Sequence, residues 1–245
     1  MAFSRALVPA ASAGGDALTA AMVGIGMNFA VSGTRQPNIG LTGGAPNISG
    51  APNIEDTLLF ASIEGLEREK PDLRVLAILA TWFGVHATWV NADRLTRLAG
   101  MNTSPRVRAF WSALASWQEQ EKDRRFARLA RLYAGPRQDL LETGTEFQIK
   151  RYGEDPRFAG SAIRVAANVL RDRTTDVLPP AALARRHPTY RWRVVIGPSY
   201  RADMWAVLED DTTLSAAALA RKTYGSFATA WRVRRDFGLL TKLPD

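Results

Sequence analysis

The sequence predicts a mostly α-helical protein with few short strands and a helix-turn-helix at its C-terminal end. Apolar residues recur at spacings of three and four through much of the chain after residue 55, and capping residues precede several of these stretches. The chain has 245 residues, of which 46% are hydrophobic and 23% charged, so it can bury one large core or two modest ones. Disorder is therefore excluded as its dominant state.

Residues 1–54 are predicted to form a disordered, low-complexity arm. The triplet Pro-Asn-Ile occurs three times between residues 37 and 54, separated by Gly, Ser, Thr and Ala. This composition is typical of a mobile spacer, and a peptide that docks on a partner is the alternative. We therefore expect the folded protein to begin near Glu55.

Membrane association is not expected. The N-terminal apolar run is short and contains Pro9, which is unlike a signal peptide. The next apolar stretch, residues 17–31, contains Gly24 and Gly26 and is shorter than a membrane span. These observations predict a cytoplasmic protein.

Residues 55–135 are predicted to form a helical domain. Leu73–Phe83 is almost wholly apolar and should be a core helix, while Asn91 and Ser104-Pro105 are typical starts of two further helices. Three helices in this order have the outline of a tri-helical, winged-helix-like DNA-binding unit, with Arg106 and Arg108 near the start of its recognition helix. A plain helical bundle explains the same pattern, and both interpretations remain open.

Residues 136–196 are predicted to form a mixed α/β connecting region. Glu146–Tyr152 alternates as a half-buried strand does, and Asp155-Pro156 precedes a helix that should run to about Arg171. Tyr190–Ile196 fits either a strand or the approach to a helix.

Residues 197–245 are predicted to contain three successive helices, at Tyr200–Leu208, Ser215–Lys222 and Ser226–Phe237. Ser215 and Ser226 are natural N-caps. In the third helix the inward stripe is Ala230, Val233 and Phe237, and the outward residues are Thr229, Arg232, Arg235 and Asp236. Arginines on such an exposed face can reach base edges in a major groove.

This C-terminal segment resembles bacterial winged-helix transcriptional regulators. Leu219-Ala220 followed by Ser226-Phe-Ala-Thr229-Ala-Trp-Arg232 is similar to their Leu-Ala, Ser-x-x-Thr-Val-x-Arg pattern. Residues 197–203 with Val207-Leu208 are similar to the first helix of regulators encoded beside toxin-like nucleotidyltransferases, the AbiE-type antitoxins.

The segment departs from that family in three respects. Tyr224 stands where the turn commonly has glycine, with Gly225 one place later, and Arg234 replaces an apolar residue. Residues 238–245 are too few for a two-stranded wing.

The resemblance and the charge together indicate sequence-specific binding of double-stranded DNA in transcriptional control. The formal net charge is +8, mostly from arginine, which suits phosphate oxygens and guanine edges. We expect Arg221 and Lys222 to bind phosphates, and Thr229, Arg232 and Arg235 to contact bases, while Ser226 caps the helix. A homodimer would pair two half-sites.

Two other functions remain as alternatives. A helical protein-interaction module, such as an antitoxin that neutralises a partner enzyme, can use the same motif. A nucleotidyltransferase-like enzyme would need Asp203 and Asp210 to share a metal ion. The chain has no cysteine and only two histidines, His86 and His187, so the sequence predicts no metal site, no cofactor and no enzymatic activity.

Overall fold

The computed structural model describes residues 15–29, 53–141 and 143–241, so most of the predicted spacer lies outside the described residues. These ranges contain twelve α-helices and one two-stranded sheet, which confirms the mostly α fold with few short strands. The helices are α1 (Asp16–Gly24), α2 (Ile54–Leu66), α3 (Leu73–His86), α4 (Ala92–Met101), α5 (Pro105–Gln120), α6 (Ala127–Ala130), α7 (Thr145–Tyr152), α8 (Pro180–Arg186), α9 (Pro188–Ile196), α10 (Tyr200–Asp210), α11 (Ala216–Thr223) and α12 (Phe227–Leu240).

The sheet consists of two short parallel strands, β1 (Gln138–Asp139) and β2 (Ile163–Arg164). Gln138 lies opposite Ile163, and Asp139 lies opposite Arg164. Three turns of 3-10 helix, at Ala87–Trp89, Arg124–Phe126 and Thr174–Asp176, complete the regular structure of the described ranges.

Side-chain caps begin the helices of the body. Asn91 Oδ1 accepts a hydrogen bond from the backbone N–H of Arg94 at 3.1 Å, and Ser104 Oγ accepts one from Val107 at 3.4 Å. Both starts were predicted from the residue types, since such oxygens satisfy the first free N–H groups of a helix.

The main core lies around α3 and α5. Trp82 of α3 and Trp111 of α5 are fully buried, and each indole N–H has a partner: Trp82 donates to the carbonyl of Ile25 at 2.7 Å, and Trp111 to Ser62 Oγ at 2.9 Å. A buried indole needs such a partner, so these bonds attach α3 to the end of α1 and α5 to α2.

The burial of α5 argues against a second DNA-binding unit in the middle region. Nine of its residues are buried, and they lie on several sides of the helix. Near its start, Arg106 donates to the carbonyl of Leu140 at 3.1 Å, and Arg108 to that of Thr103 at 3.3 Å. A recognition helix must present a free face to the groove, so the bundle interpretation fits α5 better.

The N-terminal region differs from the predicted arm. Residues 16–24 form α1, and Leu18 and Met22 are buried against the main core. Beyond α1, Met27 forms an antiparallel bridge with Val177, and Leu178 donates its N–H to the carbonyl of Gly26 at 2.9 Å. The fold therefore includes residues well before Glu55, because the apolar stretch here is core rather than spacer. None of the helices in the described ranges is both long and apolar enough to traverse a bilayer.

The connecting region also differs from two expectations. Glu146–Tyr152, expected as a strand, belongs to the helix α7, whose first residue Thr145 is buried. The helix expected up to Arg171 is replaced by turns and by β2. Tyr190–Ile196, which fitted two interpretations, is helical within α9. Alternation over seven residues also fits an amphipathic helix of two turns, so it does not identify a strand alone.

His86 is a buried neutral histidine that joins α3 to the connecting region. Its Nε2 lies 3.0 Å from the carbonyl of Leu178, and its Nδ1 lies 2.7 Å from the hydroxyl of Tyr190. A carbonyl cannot donate, so Nε2 carries the proton and Nδ1 accepts from the tyrosine. Burial lowers the pKa of His86 to about 4, although the bond to Leu178 opposes this shift.

The pH dependence of stability should reflect His86. The unfolded chain takes up this proton near pH 6.5 and the folded chain only near pH 4, so the stabilisation present above pH 6.5 is lost as the pH falls toward 4. We expect wild type to lose up to about 3 kcal/mol more than His86→Gln over this interval, measured by urea unfolding. Parallel profiles for the two proteins would contradict this prediction.

Candidate nucleic-acid interface

Helices α10, α11 and α12 form a tri-helical unit with its own small core. We call it the C-terminal unit. Trp205 of α10 stacks on Trp192 of α9, with ring centroids 5.1 Å apart, and also contacts Phe237 of α12 at 5.4 Å. The buried residues of this core are Met204, Trp205, Leu208, Leu219, Ala220, Ala230 and Val233. The predicted pair Leu219-Ala220 therefore lies at the helix crossing.

Serine caps begin all three helices of the unit. Ser215 Oγ accepts from the backbone N–H of Ala218 at 3.1 Å, and Ser226 Oγ from that of Thr229 at 3.0 Å. Ser199 Oγ accepts from Ala202 at 3.4 Å in the same way. The sequence predicted caps at Ser215 and Ser226, and the structure has both.

The turn between α11 and α12 explains one departure from the family pattern. Tyr224 adopts a left-handed conformation with φ 59°, which glycine adopts more easily. Its ring lies under the guanidinium of Arg94, 4.1 Å from the centroid, and this contact helps to hold the turn. Gly225 follows, where an added Cβ would lie 2.3 Å from the terminal methyl of Met204 and 3.3 Å from Tyr200. Glycine fits this position because the backbone of Gly225 packs closely against Met204 and Tyr200, and not because its φ is positive.

The exposed side of α12 differs in part from the predicted one. Ala230 and Val233 are buried, as expected, and the repeat of 3.6 residues per turn defines the opposite side. Of the exposed residues opposite the buried stripe, Ala228, Trp231, Arg232 and Arg235 form what we call the outward face, and Leu239 lies one turn further along the same side.

Thr229 and Asp236, predicted to point outward, are instead half-buried. The Thr229 hydroxyl lies 2.8 Å from Ser226 Oγ, so Thr229 belongs to the cap. Asp236 accepts hydrogen bonds from Nε and Nη2 of Arg235 at 3.1 and 2.7 Å. Arg232 forms no ion pair with any residue in the described ranges, so its guanidinium is the freer of the two arginines.

Two more cations lie at the end of α11, immediately before the turn. Arg221 and Lys222 are both exposed, and neither has an ion-pair partner in the described part of the chain. Along the chain they precede Phe227, the first residue of α12, by six and five residues. Arg106 and Arg108 belong to α5 of the body and are not part of this surface. No strand follows α12 up to Thr241, the last described residue.

A buried ion-pair cluster attaches the C-terminal unit to the body. Arg193 of α9 is 1% exposed and lies between Glu55 of α2 and Asp203 of α10. Its guanidinium donates to Glu55 Oε1 at 2.6 Å and Oε2 at 2.9 Å, and to Asp203 Oδ1 at 2.8 Å and Oδ2 at 3.1 Å. It also donates to the carbonyl of Trp89 at 3.2 Å. One side chain thus joins three helices.

A second arginine extends this cluster to the turn. Arg94 of α4 is fully buried, and its Nη2 donates to both carboxylate oxygens of Asp56 at 2.9 Å. Its Nη1 donates to the carbonyl of Thr223, at the end of α11, at 3.4 Å. Because Arg94 also lies over Tyr224, both the backbone and the side chain of the turn are held by the body. We call Glu55, Asp56, Arg94, Arg193 and Asp203 the ion cluster.

The three carboxyl groups of the ion cluster differ in their pKa. Burial raises the pKa of Glu55, but the charge and hydrogen bonds of Arg193, together with Arg94 and the N–H of Asn91, outweigh it and hold the pKa below its usual value. Burial keeps the pKa of Asp56 and Asp203 above the usual value despite their arginine partners. Three acids share two guanidinium groups, so Glu55 is the best compensated of them.

The ion cluster also separates Asp203 from Asp210, the two acids that a nucleotidyltransferase-like enzyme would need together. Asp203 is buried and its carboxylate is bonded to Arg193, whereas Asp210 lies exposed at the last residue of α10. Shared coordination of one metal ion needs both carboxylates on one site. The pair on which a nucleotidyltransferase-like mechanism depended is therefore not assembled.

Sequence reasoning missed the ion cluster and part of the outward face. Glu55 and Arg193 are 138 positions apart, and no local pattern connects them. Ala228 had a signal that could have been used, since it lies one helical turn before Arg232 in α12. The chain matches no known family model, no curated protein and no solved structure.

Removal of Arg193 should destabilise the whole fold. Arg193→Met leaves the buried Asp203 carboxylate without its hydrogen-bonded cation and leaves Glu55 with Arg94 alone, 3.8 Å away. We expect a loss of about 3–5 kcal/mol in the free energy of unfolding, measured by urea denaturation. Arg191→Ala is the matched control on the same helix, because Arg191 pairs with Glu209 at the surface and should contribute at most about 1 kcal/mol. Equal losses in the two variants would contradict the prediction.

Proposed function

We propose that this chain is a sequence-specific DNA-binding protein of transcriptional control, and that α12 enters the major groove of double-stranded DNA. The observation that carries the proposal is the outward face of α12, where Arg232 and Arg235 are exposed on a capped helix that packs against α10 and α11. This is the geometry by which helix-turn-helix proteins present a recognition helix.

The charges around α12 support the same proposal. Arg221 and Lys222 lie exposed at the end of α11, and neither forms an ion pair with a described residue. The pKa of Asp211 is lowered first by hydrogen bonds from Thr213 and then by the charge of Lys222, so Lys222 interacts with this carboxylate only at longer range. Arg232 is similarly free, whereas Arg235 is bonded to Asp236. We therefore assign phosphate binding to Arg221 and Lys222, and base contact first to Arg232.

Variants of α11 and α12 should separate the two kinds of contact. Arg232→Ala should weaken binding to the preferred sequence by about 1–3 kcal/mol and relax the preference, because a base contact is lost. Lys222→Ala should weaken all sequences alike and reduce the slope of log K against log salt by about 1. The measurement is gel retardation with DNA from upstream of the protein's own gene and with scrambled DNA, at several salt concentrations.

Arg185→Ala is the control, because it removes the same charge from an exposed position on α8, outside the C-terminal unit. It should leave the preference and the salt slope unchanged. If Arg232→Ala and Lys222→Ala affect every sequence equally, Arg232 does not contact bases. If wild type retards neither DNA, the proposed function is wrong.

A second candidate is a helical protein-interaction module, such as an antitoxin that neutralises a partner enzyme. It is favoured by the end of α9, where three successive apolar residues, Val194, Val195 and Ile196, are exposed, Val195 by 66%. Exposed apolar groups of this kind are common at protein contacts, including those of a homodimer. Co-purification with the product of a neighbouring gene, together with no retardation of DNA, would favour this function.

A further inference from the structure

The outward face of α12 combines exposed apolar groups with arginine. Trp231 is 53% exposed, and Phe227, one turn earlier and beside this face, is 52% exposed. The guanidinium of Arg235 lies 5.7 Å from the centre of the Trp231 ring. Ala228 is exposed beside them, and it adds a methyl group to the same side of the helix.

These exposed apolar groups are not required by the core of the unit. Ala230 and Val233 fill the inner side of α12, and the indole of Trp205 already occupies the space beside Phe237. Trp231 leaves about half of its surface in contact with water, and a large aromatic ring in water is unfavourable compared with a buried one. A partner that covers Trp231 would remove this apolar surface from water.

We propose that Ala228 and Trp231 contact the C5-methyl group of thymine in the major groove, beside a guanine that Arg232 contacts. This inference rests on the proposed function and names the kind of DNA sequence that α12 prefers. The thymine methyl is the apolar group that the major-groove edges of the four bases offer, while guanine offers two acceptors to an arginine.

Charge and spacing favour DNA as the partner that covers this face. Arg232 lies on this face, Arg221 and Lys222 lie at the end of the preceding helix α11, and none of the three forms an ion pair in the described ranges, so the partner meets positive charge. Ala228 and Arg232 are one helical turn apart, roughly 6 Å along the axis, which compares with about two base steps of 3.4 Å. An apolar contact and an arginine contact can thus fall on base pairs about two steps apart in the same site.

The test begins with selection of binding sites for the full chain from a random duplex library. Each thymine of the best site is then replaced by deoxyuridine, which lacks only the C5-methyl group, and the Kd is measured by fluorescence anisotropy. At one or two positions the replacement should raise the Kd about fourfold, the effect of one buried methyl-sized group. The change is made in the DNA, so the folding of the protein is not affected.

Variants then assign the effect to α12. Trp231→Ala should bind more weakly and should lose the difference between thymine and deoxyuridine at one of those positions. Phe147→Ala is the control, because Phe147 is an aromatic residue on α7, outside the C-terminal unit, and its exposure of 67% exceeds that of Trp231. This variant should retain the difference.

The outcomes separate this inference from the proposed function. A selected site whose deoxyuridine forms all bind as tightly as the thymine form would overturn the methyl contact and leave sequence-specific binding intact. Retention of the difference in both Trp231→Ala and Ala228→Gly would overturn the assignment to these residues. Failure of the chain to select any duplex would overturn both the inference and the proposed function.

Discussion

The buried guanidinium of Arg193 is the interaction on which the arrangement of the C-terminal unit depends. Two carboxylates from different helices, Glu55 and Asp203, bond to opposite sides of it, so each of these buried acids has a hydrogen-bonded cation. Charged groups lose several kcal/mol when they leave water, and only close, multiple hydrogen bonds offset that loss. A small displacement of α10 relative to α2 would break these bonds, so the cluster tolerates one relative position of the two helices.

This constraint matters because the unit is small. Its core consists of seven buried residues, while the main core of the described ranges is several times larger. Arg94 adds a second connection, since it holds both the carbonyl of Thr223 and the ring of Tyr224. The body thus supports the turn that positions the start of α12, and a ligand of α12 would meet a preorganised helix rather than one that must be ordered on binding.

Local sequence patterns predicted where helices start, but they could not predict contacts between residues far apart in the sequence. Ser215 and Ser226 were recognisable because a cap and its helix are adjacent in sequence. Residues 16–24 were missed because they lie next to a glycine-rich stretch, and their helix is stabilised by burial of Leu18 and Met22 against distant residues. The seven residues from Glu146 to Tyr152 fitted two periodicities, and the structure has the helical one.

The same distinction explains which site residues could be predicted. Helical periodicity separated Ala230 and Val233 from Arg232 and Arg235, but it could not show that Arg235 is bonded to Asp236 while Arg232 is free. An arginine that must first leave a carboxylate gives up that interaction when it binds a base, whereas a free arginine gives up only water. Discrimination between sequences should therefore depend on Arg232 more than on Arg235, although both lie on the outward face of α12.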